Sequence, residues 1–243
     1  MPVRDCEQQV KMNQLSESLG ILENVPVRFD LDQICNGLRT RSNDNESRIK
    51  ALVETSRTLV VPRAAYRVCY VERKLEDAVV IDGVQLNSSI LRKNLEEAWR
   101  VFAYVVTIGN EFSAMAQTLD DLLERFWLDF IGNAALRSAQ EFLRDFLSSR
   151  YGVETMSFMS PGSLADWPIE EQRPLFSLLG VAGNAIGVTL TENLVMTPTK
   201  SLSGLFFPKD VLFVNCELCP RENCIGRRAP YKKELAREYN ILK

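Results

Sequence analysis

Three cysteines near the C-terminus, Cys216, Cys219 and Cys224, form the sharpest chemical pattern in this 243-residue sequence. The C-x2-C spacing of Cys216-Glu-Leu-Cys219 lets two thiolates reach one ion. A third at Cys224 supplies another corner of a tetrahedral zinc site or of an iron–sulfur cluster. The chain contains no histidine. A fourth ligand would therefore be Cys6, Cys35 or Cys69 brought in by the fold, a carboxylate, or a bound molecule. The same spacing also suits reduced thiols or a redox disulfide, and both chemistries stay open. Without imidazole, Ser-His-Asp and Cys-His catalysis and HExxH zinc chemistry are excluded. From residue 221 onward seven basic side chains face three acidic ones, a local charge of +4. This basic tail reads as a solvated helix end or as a surface for an acidic partner. A net charge of −3 over the whole chain argues against nucleic acid as that partner.

These residues need a fold to position them. With 46% hydrophobic and 25% charged residues the chain can bury a core. The start lacks a signal-peptide pattern, and the longest apolar run, near Val101 to Ile108, is far short of the ~18 residues of a membrane span. Three scattered and three clustered cysteines do not resemble a secreted disulfide scaffold, so a reducing, cytoplasmic setting is expected. Residues 1–24 carry a weak helical pattern and read as an N-terminal extension. A capped amphipathic helix is predicted from Ser42 to Pro62. Strands follow at Tyr66 to Val71 and Ala78 to Ile81, with a hairpin turn at Asp82-Gly83. Helical spacing returns over Ser89 to Arg100, and Val101 to Ile108 suits a buried strand. The strongest helix signal, Leu122 to Arg150, places Leu123, Trp127, Ile131, Ala135, Ala139, Leu143 and Leu147 in one row beside a second apolar row. Thr118 and Asp120 are its candidate caps, and Gly152 its stop. A turn-rich loop over Ser160 to Pro168 leads into a short helix, followed by strand-like pieces at 186–190, 194–197 and 201–207. The alternation predicts an α+β fold. The expected divisions are 1–24, a main domain over 25–210, and the cysteine cluster with its basic tail over 211–243.

Three segments, Ser160 to Leu179, Ile186 to Asn193 and Met196 to Phe207, resemble in order and spacing the activation (S-adenosylmethionine-binding) domain of cobalamin-dependent methionine synthase. The cysteine cluster and tail resemble the C-terminal extension of its free-standing relatives. The resemblance implies a curved, mostly antiparallel sheet surrounded by helices. It also implies an accessory role rather than a complete enzyme. Such a domain docks on a cobalamin-binding methionine synthase or other corrinoid protein, with the cobalamin on the partner. It then supports reductive methylation of Co(II) cobalamin by S-adenosylmethionine. On this basis Pro161, Gly162, Ser163, Trp167 and Glu192 are the candidate cofactor-binding residues. Four of them have a structural alternative: turn geometry for Pro161 and Gly162, a core anchor for Trp167, a cap or surface charge for Glu192. The loop departs from the family's R-x-x-P-G-Y pattern, with Phe158 at the arginine position and Ser163 at the tyrosine position. That removes a bidentate carboxylate clamp. Arg137 stands on the long helix where the family has an acidic residue. A second function class, a redox or metal adaptor for another corrinoid methyltransferase, is suggested by Cys216, Cys219 and Cys224. A structural zinc module is a third.

Overall fold

The computed structural model describes residues 11–16, 18–39, 42–224 and 226–241. Cys6 lies outside them. An eight-stranded antiparallel sheet forms the centre. Its main path runs β1 (Lys11–Ser16), β2 (Leu19–Glu23), β3 (Arg63–Lys74), β6 (Arg100–Thr107), β10 (Ser201–Pro208) and β7 (Met156–Met159). The far half of β3 also pairs with β4 (Ala78–Ile81), which pairs with β5 (Val84–Asn87) through the predicted Asp82-Gly83 turn. A separate two-stranded ribbon joins β8 (Thr189–Leu190) to β9 (Met196–Thr197).

Every residue of β6 from Val101 to Thr107 is buried, because helices cover both faces of the sheet and leave no solvated side to alternate with. On one face Phe102, Tyr104, Val106 and Phe206 pack under α5 (Leu122–Tyr151). Behind α5 lie α1 (Leu31–Gly37), α2 (Asn43–Leu59) and α4 (Asn110–Thr118). On the other face Ala103, Val105, Leu205 and Phe207 meet α3 (Ser89–Asn94), α6 (Gln172–Leu179), α7 (Ala182–Ala185) and α8 (Lys233–Glu238). The fold is α+β with a mostly antiparallel sheet, as expected.

Helix α5 carries the predicted row buried from Trp127 to Leu147, and it ends at Gly152 in the left-handed region (φ 63°). Its first turn differs from expectation: Leu122 and Phe126 are exposed, and so is Leu123 at the head of the row. The cap is Asp121, whose carboxylate accepts from the Leu123 N–H at 2.8 Å, while Thr118 closes α4 instead. The helical pattern over 10–22 is also replaced, within the described residues, by the β1–β2 hairpin. Leu19, Gly20, Ile21 and Leu22 are all buried in an inner strand, and a short continuous apolar run does not distinguish helix from covered strand by period. The expected helix from Ser89 stops at Asn94, and the chain turns into β6 at Arg100. No helix among the described residues is long and apolar enough to cross a membrane.

Candidate functional site at the edge strand and the C-terminal tail

Strand β7 is the sheet edge, and the loop that leaves it passes from one face of the sheet to the other. At its start Ser160 looks to the α5 side, its Oγ 3.4 Å from the Tyr104 hydroxyl. At its end Trp167 is fully buried on the opposite face with Leu164, Leu175 and Leu178. Gly162 permits the crossing. Its φ of +80° is one that side-chain-bearing residues rarely adopt, and its N–H donates to the Trp167 carbonyl at 2.8 Å. Pro161 is buried beside it. Trp167 is therefore a core anchor, and its ring offers no open face for stacking. Among the described residues its indole N–H has no hydrogen-bond partner.

Asp166 in the loop and Glu171 just after it are structural. The Asp166 carboxylate accepts from the Ser88 hydroxyl, from the Ser89 hydroxyl at 2.5 Å and from the Ile90 N–H at 3.0 Å, and so holds the N-terminus of α3. Glu171 accepts from the Asn87 N–H at 2.8 Å and its side-chain amide at 2.9 Å. Glu192 is exposed between β8 and β9, and its backbone carbonyl accepts from Arg173 at 2.6 Å. Among the described residues, no hydrogen bond or ion pair joins it to Pro161, Gly162, Ser163 or Trp167. These four share one loop, and Glu192 stands apart from it.

On the α5 face, a polar group sits among aromatic rings. Gln140 donates to the Tyr104 hydroxyl at 2.6 Å, and Tyr104 stacks on Phe206 with centroids 4.0 Å apart. Burial pushes the Tyr104 phenol up to about 12, so it stays protonated. Gly204 lets β10 approach this group: a Cβ there would lie 2.3 Å from the Met159 carbonyl and 2.9 Å from the Tyr104 hydroxyl. At the start of β10, Lys200 donates to Asp129 at 2.6 Å and to Asn133 at 2.8 Å, tying the strand to α5.

The tail closes over this edge. The Phe213 N–H donates to the Ser157 hydroxyl and the Asn215 side-chain amide to the Ser163 hydroxyl, each at 2.8 Å. Ser163, which donates to the Ser160 carbonyl at 2.5 Å, thus links loop and tail. Cys216 and Cys219 are half-buried and Cys224 is exposed. Among the described residues, no three Cys, Asp or Glu side chains are gathered as a metal would require, so neither Cys35 nor Cys69 completes a set with the cluster. The loop's shape is instead held by the Arg227 guanidinium. It donates to the carbonyls of Cys216, Cys219 and Ala229 at 3.2 Å each, and to that of Arg221. Its neighbour Arg228 lies over the Phe158 ring, 4.7 Å from guanidinium carbon to centroid. An arginine from the tail thus occupies the side of Phe158 that the loop leaves without one. Arg228 supplies a guanidinium that would suit a carboxylate such as that of S-adenosylmethionine. Arg137 on α5 is a second cation near it and would offer nothing to a sulfonium.

Residues 159–215 match the family model described as vitamin B12 dependent methionine synthase, activation domain. A solved structure described as the MetH reactivation domain bound to AdoHcy is similar to this chain, with a TM-score of 0.54 at 15% identity and 82% of each chain covered. The chain resembles the methionine synthase activation domain. The likeness in structure is one of fold, and the segment match spans the loop, α6, the β8–β9 ribbon and β10. It contains Pro161, Gly162, Ser163, Trp167 and Glu192, and it stops one residue before Cys216. No curated protein matches the chain. The cysteine cluster, Arg227 and Arg228 therefore lie beyond the matched segment. Sequence reasoning missed Arg228 as a partner of Phe158, and the only signal for it was the charge of the tail.

Proposed function

We propose that this protein is an accessory to cobalamin-dependent methyl transfer. It docks on a separate cobalamin-carrying protein, a methionine synthase or related corrinoid protein, and supports the reductive methylation of its Co(II) cobalamin by S-adenosylmethionine. The observation that carries this reading is the activation-domain match over residues 159–215, set in a fold similar to the reactivation domain. S-adenosylmethionine, when bound, supplies the methyl group. The chain's own part is to bind and orient it. Size-exclusion chromatography of the protein mixed with a cobalamin-loaded methionine synthase that lacks its own activation domain tests the dock. Co-elution is expected, and separate elution at micromolar concentrations contradicts it.

Cys216, Cys219 and Cys224 favour a second reading, a redox or metal adaptor for a corrinoid methyltransferase. Metal analysis of protein purified without oxygen separates the two. Stoichiometric iron or zinc supports the adaptor, and its absence removes the metal form of that reading.

A further inference from the structure

Two arginines from distant parts of the chain, Arg137 and Arg228, lie near one another on the α5 side of β7. Arg137 projects from α5 and is half-buried. Its Nη1 lies 3.9 Å from where a Cβ on Gly226 would sit, which places the tail directly against it. Two residues further on, Arg228 rests on Phe158. Among the described residues neither side chain donates a hydrogen bond or forms an ion pair. Arg48, by contrast, pairs with Asp121 and Glu124, and Arg227 is filled by carbonyls. Burial, and then the charge of Arg228, lower the Arg137 pKa from its ordinary value, and Glu141 opposes them with a smaller effect. The charge of Arg228 also reaches Tyr104. Glu141 is outside ion-pair distance of Arg137, whose guanidinium carbon lies 6.0 Å from the centroid of the Phe130 ring, and Tyr104 is a neutral phenol.

We propose that Arg137 and Arg228 form an oxyanion-binding site, assembled between the long helix and the C-terminal tail, that takes the carboxylate or phosphate group of a small ligand. Two like charges held near one another repel, and an anion between them removes that repulsion. Guanidinium forks match the planar geometry of a carboxylate and the oxygen spacing of a phosphate. The Phe158 ring attracts the Arg228 guanidinium, and among the described residues no acceptor takes its N–H groups. Arg228 is exposed, but its backbone is held, with its N–H 3.4 Å from the Cys216 sulfur in a loop that Arg227 stitches shut. The site is a property of the isolated chain and does not rest on docking to a cobalamin protein.

The test is calorimetric titration of the full chain at low salt with inorganic phosphate, S-adenosylhomocysteine and S-adenosylmethionine in turn, repeated on R137Q and R228Q. Arg144→Gln, at an exposed ion pair with Asp145 on α5, is the control. At least one of the three ligands binds. Its affinity falls about tenfold or more in each of R137Q and R228Q, is unchanged in R144Q, and weakens as sodium chloride is added. Saturation by phosphate alone identifies a phosphate group as the source. Binding of S-adenosylhomocysteine, with its uncharged sulfur, more tightly than S-adenosylmethionine identifies an adenosyl amino acid carboxylate. No binding of any of the three, or unchanged affinity in folded R137Q and R228Q, overturns the proposal.

Discussion

Replacing Asp166 by alanine separates a structural role for the loop acid from a ligand-binding one. Its carboxylate takes three donors, the hydroxyls of Ser88 and Ser89 and the N–H of Ile90. Ser88 is 2% exposed and also caps α3, accepting from the Leu91 N–H at 2.9 Å. Hydrogen bonds to a charged group contribute about 1.5–3 kcal/mol each when well buried. Asp166 is only half-buried, so about 1 kcal/mol apiece is the fair figure, or ~3 kcal/mol for the three. In a domain of this size that lowers the melting temperature by about 6–12 °C. Asp166→Asn keeps an acceptor and loses roughly half as much. Urea unfolding read by tryptophan fluorescence and by circular dichroism gives both values. A change below ~0.5 kcal/mol in D166A, with ligand or partner binding lost instead, refutes the assignment of this residue to the α3 terminus.

Gly204→Ala places a methyl group 2.3 Å from the Met159 carbonyl, and strand backbone cannot yield by that distance. A loss of about 3 kcal/mol or more in urea is expected, and an unchanged midpoint contradicts the close approach of β10 to β7. Burial pushes the Cys69 thiol up to about 12, so at pH 8 it presents almost no thiolate, and only at much higher pH does it ionise. Iodoacetamide labelling followed by mass spectrometry should modify exposed Cys224 first and leave Cys69 intact until the protein unfolds. Early labelling of Cys69 contradicts its place in the core.

The parts of the fold legible in the sequence are those with a long or doubly marked pattern. The buried row of α5 persists from Trp127 to Leu147 before Gly152 ends the helix, and the β4–β5 hairpin joins alternating apolar residues to an Asp-Gly turn. The β1–β2 hairpin was not legible, because inner strand β2 is buried on both faces and loses the alternation that marks a strand. The cap of α5 was missed by one residue, since Asp120 and Asp121 are equivalent by type and only the turn's geometry chooses between them. At the candidate site the loop was readable from its Pro161-Gly162 turn. The fate of Trp167 was not, because a buried indole and a ligand platform have the same sequence signature. The contacts of the tail with Ser163, Phe158 and Arg137 are tertiary, between residues far apart in the chain. No local pattern records them.

The most direct measurement is the absorbance of a Co(II) cobalamin-loaded methionine synthase lacking its activation domain, supplied with S-adenosylmethionine and a one-electron reductant, with and without this protein. The account predicts conversion to the methylcobalamin spectrum at a rate that rises with added protein and saturates as the complex fills. A rate independent of the protein, under conditions where an intact synthase is reactivated, would contradict it.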